Sequence, residues 1–336
     1  MTTGFPIEGR LQAPLPADEV ALDALDKRLI AALQVAPRAS WQQLAAALGI
    51  SESTVSRRAR RLFTSGCVTV TGIPDPLKCG LGFPVLIQVG CEVGAAGSVA
   101  RSLAMRPDVR FVALLSGSHD LVLEVVVSSR EQLGEVLLND LNQIPGILRT
   151  STETVVRNFK TSYDWGRELL GEQASLLPAP PIPAPDSDGQ PKVDAEDLHL
   201  MELLGADGRM SAAELAKHSN LSESAVRRRV DNLSATGALH FATFVDPQLI
   251  GFEVPVFLWL DVDLAALEEV AGALAARHEV RYLSATAGYS NLIAEVILRD
   301  LDRLYLFLTD VVGSLPGVRR SEVGLELATV KRNYQT

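Results

Sequence analysis

At 336 residues, 47% hydrophobic and 21% charged, the chain has the make-up of a globular protein with room for roughly two to four domains. No uninterrupted apolar run approaches the roughly 20 residues of a membrane span, and the first residues lack a basic-then-apolar leader, so a cytoplasmic protein without a membrane partner is expected. The net charge of −10 argues at first sight against nucleic acid, but the sign of the surface that docks is what matters.

Residues 1–20 carry Pro6, Pro14 and Pro16 and are expected to form a flexible tail. Residues 21–73 read as a winged helix-turn-helix domain. Leu22, Leu25, Leu29 and Leu33 form a helical apolar stripe behind Asp23, and Pro37 ends it. Ser40 with Gln43 is a capping box, and Leu44, Ala47 and Leu48 supply the buried face of a second helix. Gly49 suits a left-handed stop, and Ser51 caps a third helix running to about Leu62. Two short helices joined by a tight turn let the later one enter the major groove of double-stranded DNA. In that helix Val55, Ala59 and Leu62 point inward, which leaves Ser53, Thr54, Ser56, Arg57, Arg58, Arg60 and Arg61 available to DNA. Early residues of such a helix reach base edges and later arginines hold phosphates. A merely solvated arginine-rich face is the alternative.

Residues 66–70 read as a short strand leading to an Asp75-Pro76 turn. Over 82–162 the pattern is strand 84–92, helix 95–105, strand 109–115, strand 121–127, helix 130–143 and strand 147–159. This βαββαβ order is ferredoxin-like and gives an α+β fold, with helices on one face of an antiparallel sheet. The other face is equally apolar and needs a partner, either the second sensing domain or another chain. Glu124 sits inside an apolar strand and is expected either to meet an arginine or a ligand amine across that interface, or to face solvent. Residues 171–191, with six prolines, are expected to be a semi-extended linker.

The whole unit then recurs without a gap at an offset of 171 residues. Asp23 and Asp26 fall on Asp194 and Asp197, Asp75-Pro76 on Asp246-Pro247, Gly117 on Gly288, Glu124 on Glu295, and Pro145-Gly146 on Pro316-Gly317. A second helix-turn-helix is therefore expected over 192–244 and a second ferredoxin-like domain over 253–335. The copies differ in charge. Residues 20–71 hold seven basic and three acidic residues, whereas 192–243 hold six basic and eight acidic ones. In the second recognition helix Ser224, Arg227, Arg228 and Arg229 are available to DNA, but Asp231 and Asn232 replace Arg60 and Arg61. A carboxylate facing phosphates is unfavourable, so the first copy should bind DNA more strongly. Cys67, Cys79 and Cys91 match no zinc spacing, and neither a metal nor a cofactor is expected.

Leu25-Asp26 with Leu29, the stretch from Leu48-Gly49-Ile50-Ser51 to Arg60-Arg61-Leu62, Leu115 with Gly117 and Asp120, and Ile144-Pro145-Gly146 together resemble the leucine-responsive/asparagine-C (Lrp/AsnC) family of regulators. The resemblance implies a DNA-binding transcriptional regulator, normally paired through its sensing domains, whose Gly-x-x-Asp loop lines a pocket for an amino acid or related metabolite. By position those effector residues are Gly117, Ser118, His119 and Asp120, with Gly288, Tyr289, Ser290 and Asn291 in the second copy. Asn291 departs at the acidic position, which puts amine binding there in question; plain hairpin turns are the alternative reading of both loops. A homo-oligomer through the ferredoxin-like domains is expected. Siroheme decarboxylases resemble the same two-module build, so an enzyme of that kind is the competing reading. His119, His199, His218, His240 and His278 share no placement between the copies, which disfavours it.

Overall fold

The computed structural model describes residues 21–178 and 193–332. The expected tail and residues 179–191 of the expected linker lie outside these. In the first unit α1 (Ala24–Val35) opens on a reciprocal box between Asp23 and Asp26, and α2 (Trp41–Leu48) opens on another between Ser40 and Gln43. Gly49 stops α2 at φ 69°, and Ser51 caps α3 (Glu52–Thr64) through the Thr54 N–H. Strand β1 (Val68–Pro74) follows, then the turn α4 (Pro76–Cys79). The sensing domain is β2 (Phe83–Cys91), α5 (Ala96–Ala104), β3 (Val109–Leu115), β4 (Leu121–Val127), α6 (Arg130–Glu135) and β5 (Ile147–Thr161). Helix α6 continues to Gln143 through a π turn and a 3-10 turn.

The second unit repeats this order: α7 (Ala195–Ala206), α8 (Ala212–His218), α9 (Glu223–Ala235), β6 (Leu239–Val245), β7 (Val254–Val262), α10 (Leu267–Ala275), β8 (Val280–Ala287), β9 (Leu292–Leu298), α11 (Leu301–Leu306) and β10 (Val318–Arg332). Helix α8 ends at His218, with Ser219 extended and its hydroxyl bonded to the Leu215 carbonyl.

Each unit's sheet has ferredoxin-like order, and the two sheets close on one another. Strands β5 and β10 are 15 residues long, about 50 Å when extended, enough to serve both sheets. The first part of β5 pairs with β2 and the second with β8, while β10 pairs with β7 and then β3. The result is a closed barrel in the order β10-β3-β4-β2-β5-β8-β9-β7. Inside it Leu86, Phe111, Val122, Val155, Phe257, Trp259 and Ile293 form one apolar core. The opposite faces pack beneath helices, Val85 and Ile87 against Leu103, and Val256 and Leu258 against Leu274. The second apolar face of each sheet is thus covered by the other unit of the same chain.

The strand after each helix-turn-helix also pairs across the repeat. β1 and β6 form an antiparallel ribbon from Val68↔Val245 to Pro74↔Leu239. The first helix-turn-helix is further held by a 3-10 segment (Trp165–Leu176) that packs on α1. Trp165, Leu170, Ala174 and Leu177 join its core with Ile250, Phe252 and Ile297 of the second unit. This corrects the expected linker: residues 171–177 are folded, kinked at Gly171 (φ 57°), because Ala174 and Leu177 bury apolar surface there.

Candidate nucleic-acid interface and sensing loops

On α3, Ser53, Arg57 and Arg60 are exposed, and Thr54 and Ser56 are half-buried. Ser53, Ser56, Arg57, Arg60 and Arg61 line one concave surface with Thr64 and Ser65. Arg58 departs from expectation. Its Nη1 donates to Asp23 Oδ2 and Asp26 Oδ1, both at 2.7 Å, tying α3 back to the start of α1. Arg61 also donates to Asp26, yet its side chain stays 48% exposed and can still reach outward. The Asp26 N–H, then the Arg58 guanidinium, hold the Asp23 carboxyl below its ordinary value.

The second unit builds the same clamp. Arg229 Nη1 donates to Asp194 and Asp197 at 2.8 Å, so Arg229 likewise serves the fold rather than DNA. Ser224, Arg227 and Arg228 are exposed, but Arg227 pairs with Glu223 at 2.7 Å, and Asp231 and Asn232 stand exposed beside them.

The two helix-turn-helix domains are locked by a reciprocal pair that the sequence reading missed, although it obeys the repeat offset. Arg38 donates to the Gly208 and Met210 carbonyls, and Arg209 to the Pro37 and Ala39 carbonyls. Arg38 lies over the Phe241 ring at 4.7 Å and Arg209 over Trp41 at 4.1 Å. Burial, then the nearby Arg38 charge, lowers the Arg209 guanidinium to about 10.

Both sensing loops lie where one unit's β-turn abuts the other unit's last strand. A Cβ on Gly117 would sit 3.4 Å from the Val323 carbonyl oxygen, and the Ser116 N–H donates to Leu325. Ser118 donates to Glu322, Arg149 donates to the Ser118 carbonyl, and His119 Nδ1 stands 2.9 Å from Ser118 Oγ. Burial, then the Arg149 charge, holds the His119 imidazole below its ordinary value. The Asp120 carboxylate instead accepts the Cys91 N–H at 2.7 Å. Asn291 makes the matching contact, accepting the Val262 N–H at 2.9 Å and donating to its carbonyl. Asp120 and Asn291 therefore both fasten the loop to the neighbouring strand, and losing the charge at 291 changes no such role. Gly288, Tyr289 and Ser290 face Glu153 of β5.

Glu124 finds its arginine within its own sheet, whereas Glu295 takes one from its own sheet and a second from the part of β10 that pairs with β3 of the other unit. Glu124 stands 3.4 Å from Arg110, while Glu295 receives Arg281 Nε at 2.7 Å and Arg332 Nη2 at 2.8 Å. The histidines stay dispersed: His119 in the first loop, His199 and His218 joined by a 2.8 Å bond in the second helix-turn-helix, His240 on β6, and His278 ahead of β8. Glu153, Arg149, Glu322 and Arg320 were missed by the sequence reading; the repeat could have flagged Glu153, since Gly324 stands in its place.

Comparison with known proteins follows the same division. A model of the AsnC-type helix-turn-helix domain matches residues 22–62 and 193–234, and one of the Lrp/AsnC ligand binding domain matches 84–165 and 255–336. An uncharacterized HTH-type transcriptional regulator of Pyrococcus furiosus is 34% identical over 143 residues, 42% of this chain and 97% of that protein. The HTH-type transcriptional regulator AldR of Mycolicibacterium smegmatis is 31% identical over 167 residues, 48% of this chain and 97% of that protein. Each relative thus corresponds to about one unit. Among solved structures, the siroheme decarboxylase NirDL covers 92% of this chain and 93% of its own at a TM-score of 0.56 and 16% identity, a likeness of fold.

Proposed function

The chain belongs to the Lrp/AsnC family of transcriptional regulators, and on that premise we propose that it reads DNA mainly through α3 while its sensing domains respond to an amino acid or related metabolite at loop 117–120. The observation that carries this reading is the difference between α3 and α9. α3 presents Ser53, Ser56, Arg57, Arg60 and Arg61 on one surface, whereas α9 spends Arg227 on Glu223 and places Asp231 and Asn232 where Arg60 and Arg61 stand. Ser53, Thr54 and Ser56 are suited to base edges, and the arginines to phosphates. Ser224 and Arg228 make the second helix an accessory contact. The barrel and the Arg38–Arg209 lock hold both helices in one chain, so a single chain presents what paired one-unit regulators present together. The protein acts as a regulator rather than an enzyme, and whole chains associate further through their sensing domains.

The test is fluorescence anisotropy on genomic fragments selected by the protein itself, across a salt series. Arg57→Ala with Arg60→Ala should weaken binding at least about tenfold and lower the salt slope by about 2, near one unit per phosphate contact. Arg58→Ala should instead lower the melting temperature, since it leaves Asp26 short of a partner at a cost of about 1–3 kcal/mol. An unchanged salt slope in the double variant would falsify the α3 assignment. A Soret-region change on adding siroheme, with no DNA bound at any salt, would replace the whole reading.

A further inference from the structure

The repeat relates the two sensing loops, yet the Ser290 amide of the second is bonded by a carboxylate of the chain, whereas the carboxylate at the first, Glu322, is bonded through the Ser118 hydroxyl. At the second loop Glu153, 1% exposed, reaches over from β5, and its Oε1 accepts the Ser290 N–H at 3.1 Å. It lies so close over Gly288 that a Cβ there would fall 1.9 Å from Oε2. On the solvent side the Arg320 guanidinium covers the Tyr289 ring at 3.9 Å and donates to its hydroxyl. Tyr289 itself stays exposed, so the group that fills the second loop is Glu153.

The first loop matches it in sequence but not in backbone, since Gly117 takes φ 122° and Gly288 lies outside the left-handed region, and Arg149 stands there in the place of Arg320. Gly324 replaces Glu153, with its Cα 3.8 Å from where a Gly117 Cβ would stand. Ser118 replaces Tyr289. The amide that matches Ser290 is that of His119, and among the described residues no acceptor bonds it. Beside it the Arg149 guanidinium bonds the Ser118 carbonyl and the Glu322 carboxylate accepts the Ser118 hydroxyl. A turn amide with a guanidinium suits a ligand carboxylate, and Glu322 suits an ammonium.

We propose that Glu153 is a built-in carboxylate ligand that keeps the second loop permanently occupied, so that each chain takes one effector, a zwitterionic α-amino acid, at the first loop. The proposal rests on the effector reading given above. A tethered carboxylate competes at an effective concentration on the order of millimolar or more, so a free ligand at micromolar levels does not displace it. Burial raises the Glu153 carboxyl while the Ser290 and Tyr289 amides pull it back, consistent with a group held in place by those two N–H donors.

The experiment dialyses the full chain to equilibrium against an equimolar mixture of the twenty proteinogenic L-amino acids and counts those retained per chain. The wild type should retain one and Glu153→Ala two. Glu153→Gln, whose amide oxygen still accepts the Ser290 N–H, should retain one. Two on the wild type, or one on Glu153→Ala, would overturn the proposal. Retention by neither sinks the amino-acid effector reading instead, and amide hydrogen exchange then judges the plug alone. The Ser290 amide should exchange about tenfold faster in Glu153→Ala than in wild type or Glu153→Gln, and an unchanged rate overturns it.

Discussion

Adjacent arginines on α3 do different work, and the difference is a matter of angle. Arg57 and Arg58 are one residue and about 100° apart on the helix, so one faces outward while the other meets Asp23 and Asp26. The sequence shows both as exposed cations, because the clamp depends on where α1 begins relative to α3. Glu124 has a similar history. Its place inside an apolar strand is visible in the sequence, but its arginine, Arg110, is brought beside it only by pairing of β3 with β4. Burial outweighs that arginine and raises the Glu124 carboxyl above its ordinary value. A raised acid binds its proton more readily folded than unfolded, so it costs stability as pH rises from about 4.3 through its folded value. Glu124→Gln removes this dependence. Its melting temperature relative to wild type should therefore climb with pH across that window and level off above it. A gap that stays constant from pH 4 to pH 9 would show that Glu124 does not titrate in the folded barrel.

Among the elements, those specified locally were the legible ones. The capping boxes of α1 and α2 and the near-continuous apolar runs of β3 and β4 need only a few neighbouring residues, and the structure has them at the expected positions. Elements defined by distant partners were not legible. β1 and β6 read as short strands with no visible mate, and they pair with each other. The Trp165–Leu176 segment was overshadowed by the prolines after it, yet Trp165 is 1% exposed and meets Phe252 edge-on at 5.0 Å. Trp165→Ala should cost the first helix-turn-helix about 3–5 kcal/mol through the cavity it leaves. Hydrogen exchange resolved by segment would show faster opening in α1 and α2, with the α7 to α9 domain unaffected. Equal loss of protection in both domains would mean that the segment supports the whole chain rather than one end of it.

At the scale of the whole molecule, duplication conserves the frame and lets the two halves diverge in charge and occupancy. Net charge of −10 coexists with a basic first reading head because the acidic excess lies outside it, slightly in the second head and mostly in the rest of the chain. The barrel consumes the inner sheet faces within one chain, so association between chains must use outer surface. Val156 and Leu327 occupy matching positions on β5 and β10 and remain 57% and 60% exposed. Sedimentation should find a species larger than one chain, reduced to a single chain by Val156→Asp with Leu327→Asp; a wild type that sediments as a single chain removes the association from the account. The crossing of β10 onto β3 also bears on synthesis. Lys331 reaches the Arg106 carbonyl 225 residues away in the chain, so the free edge of the first sheet waits, unpaired, while an entire second unit leaves the ribosome. At a translation rate of about 5–20 residues per second that interval is tens of seconds. Throughout it the nascent first half offers a bare strand edge to any neighbouring chain. Duplication thus ties closure of the barrel to completion of the same chain, where two separate single-unit proteins would leave that edge bare until they met.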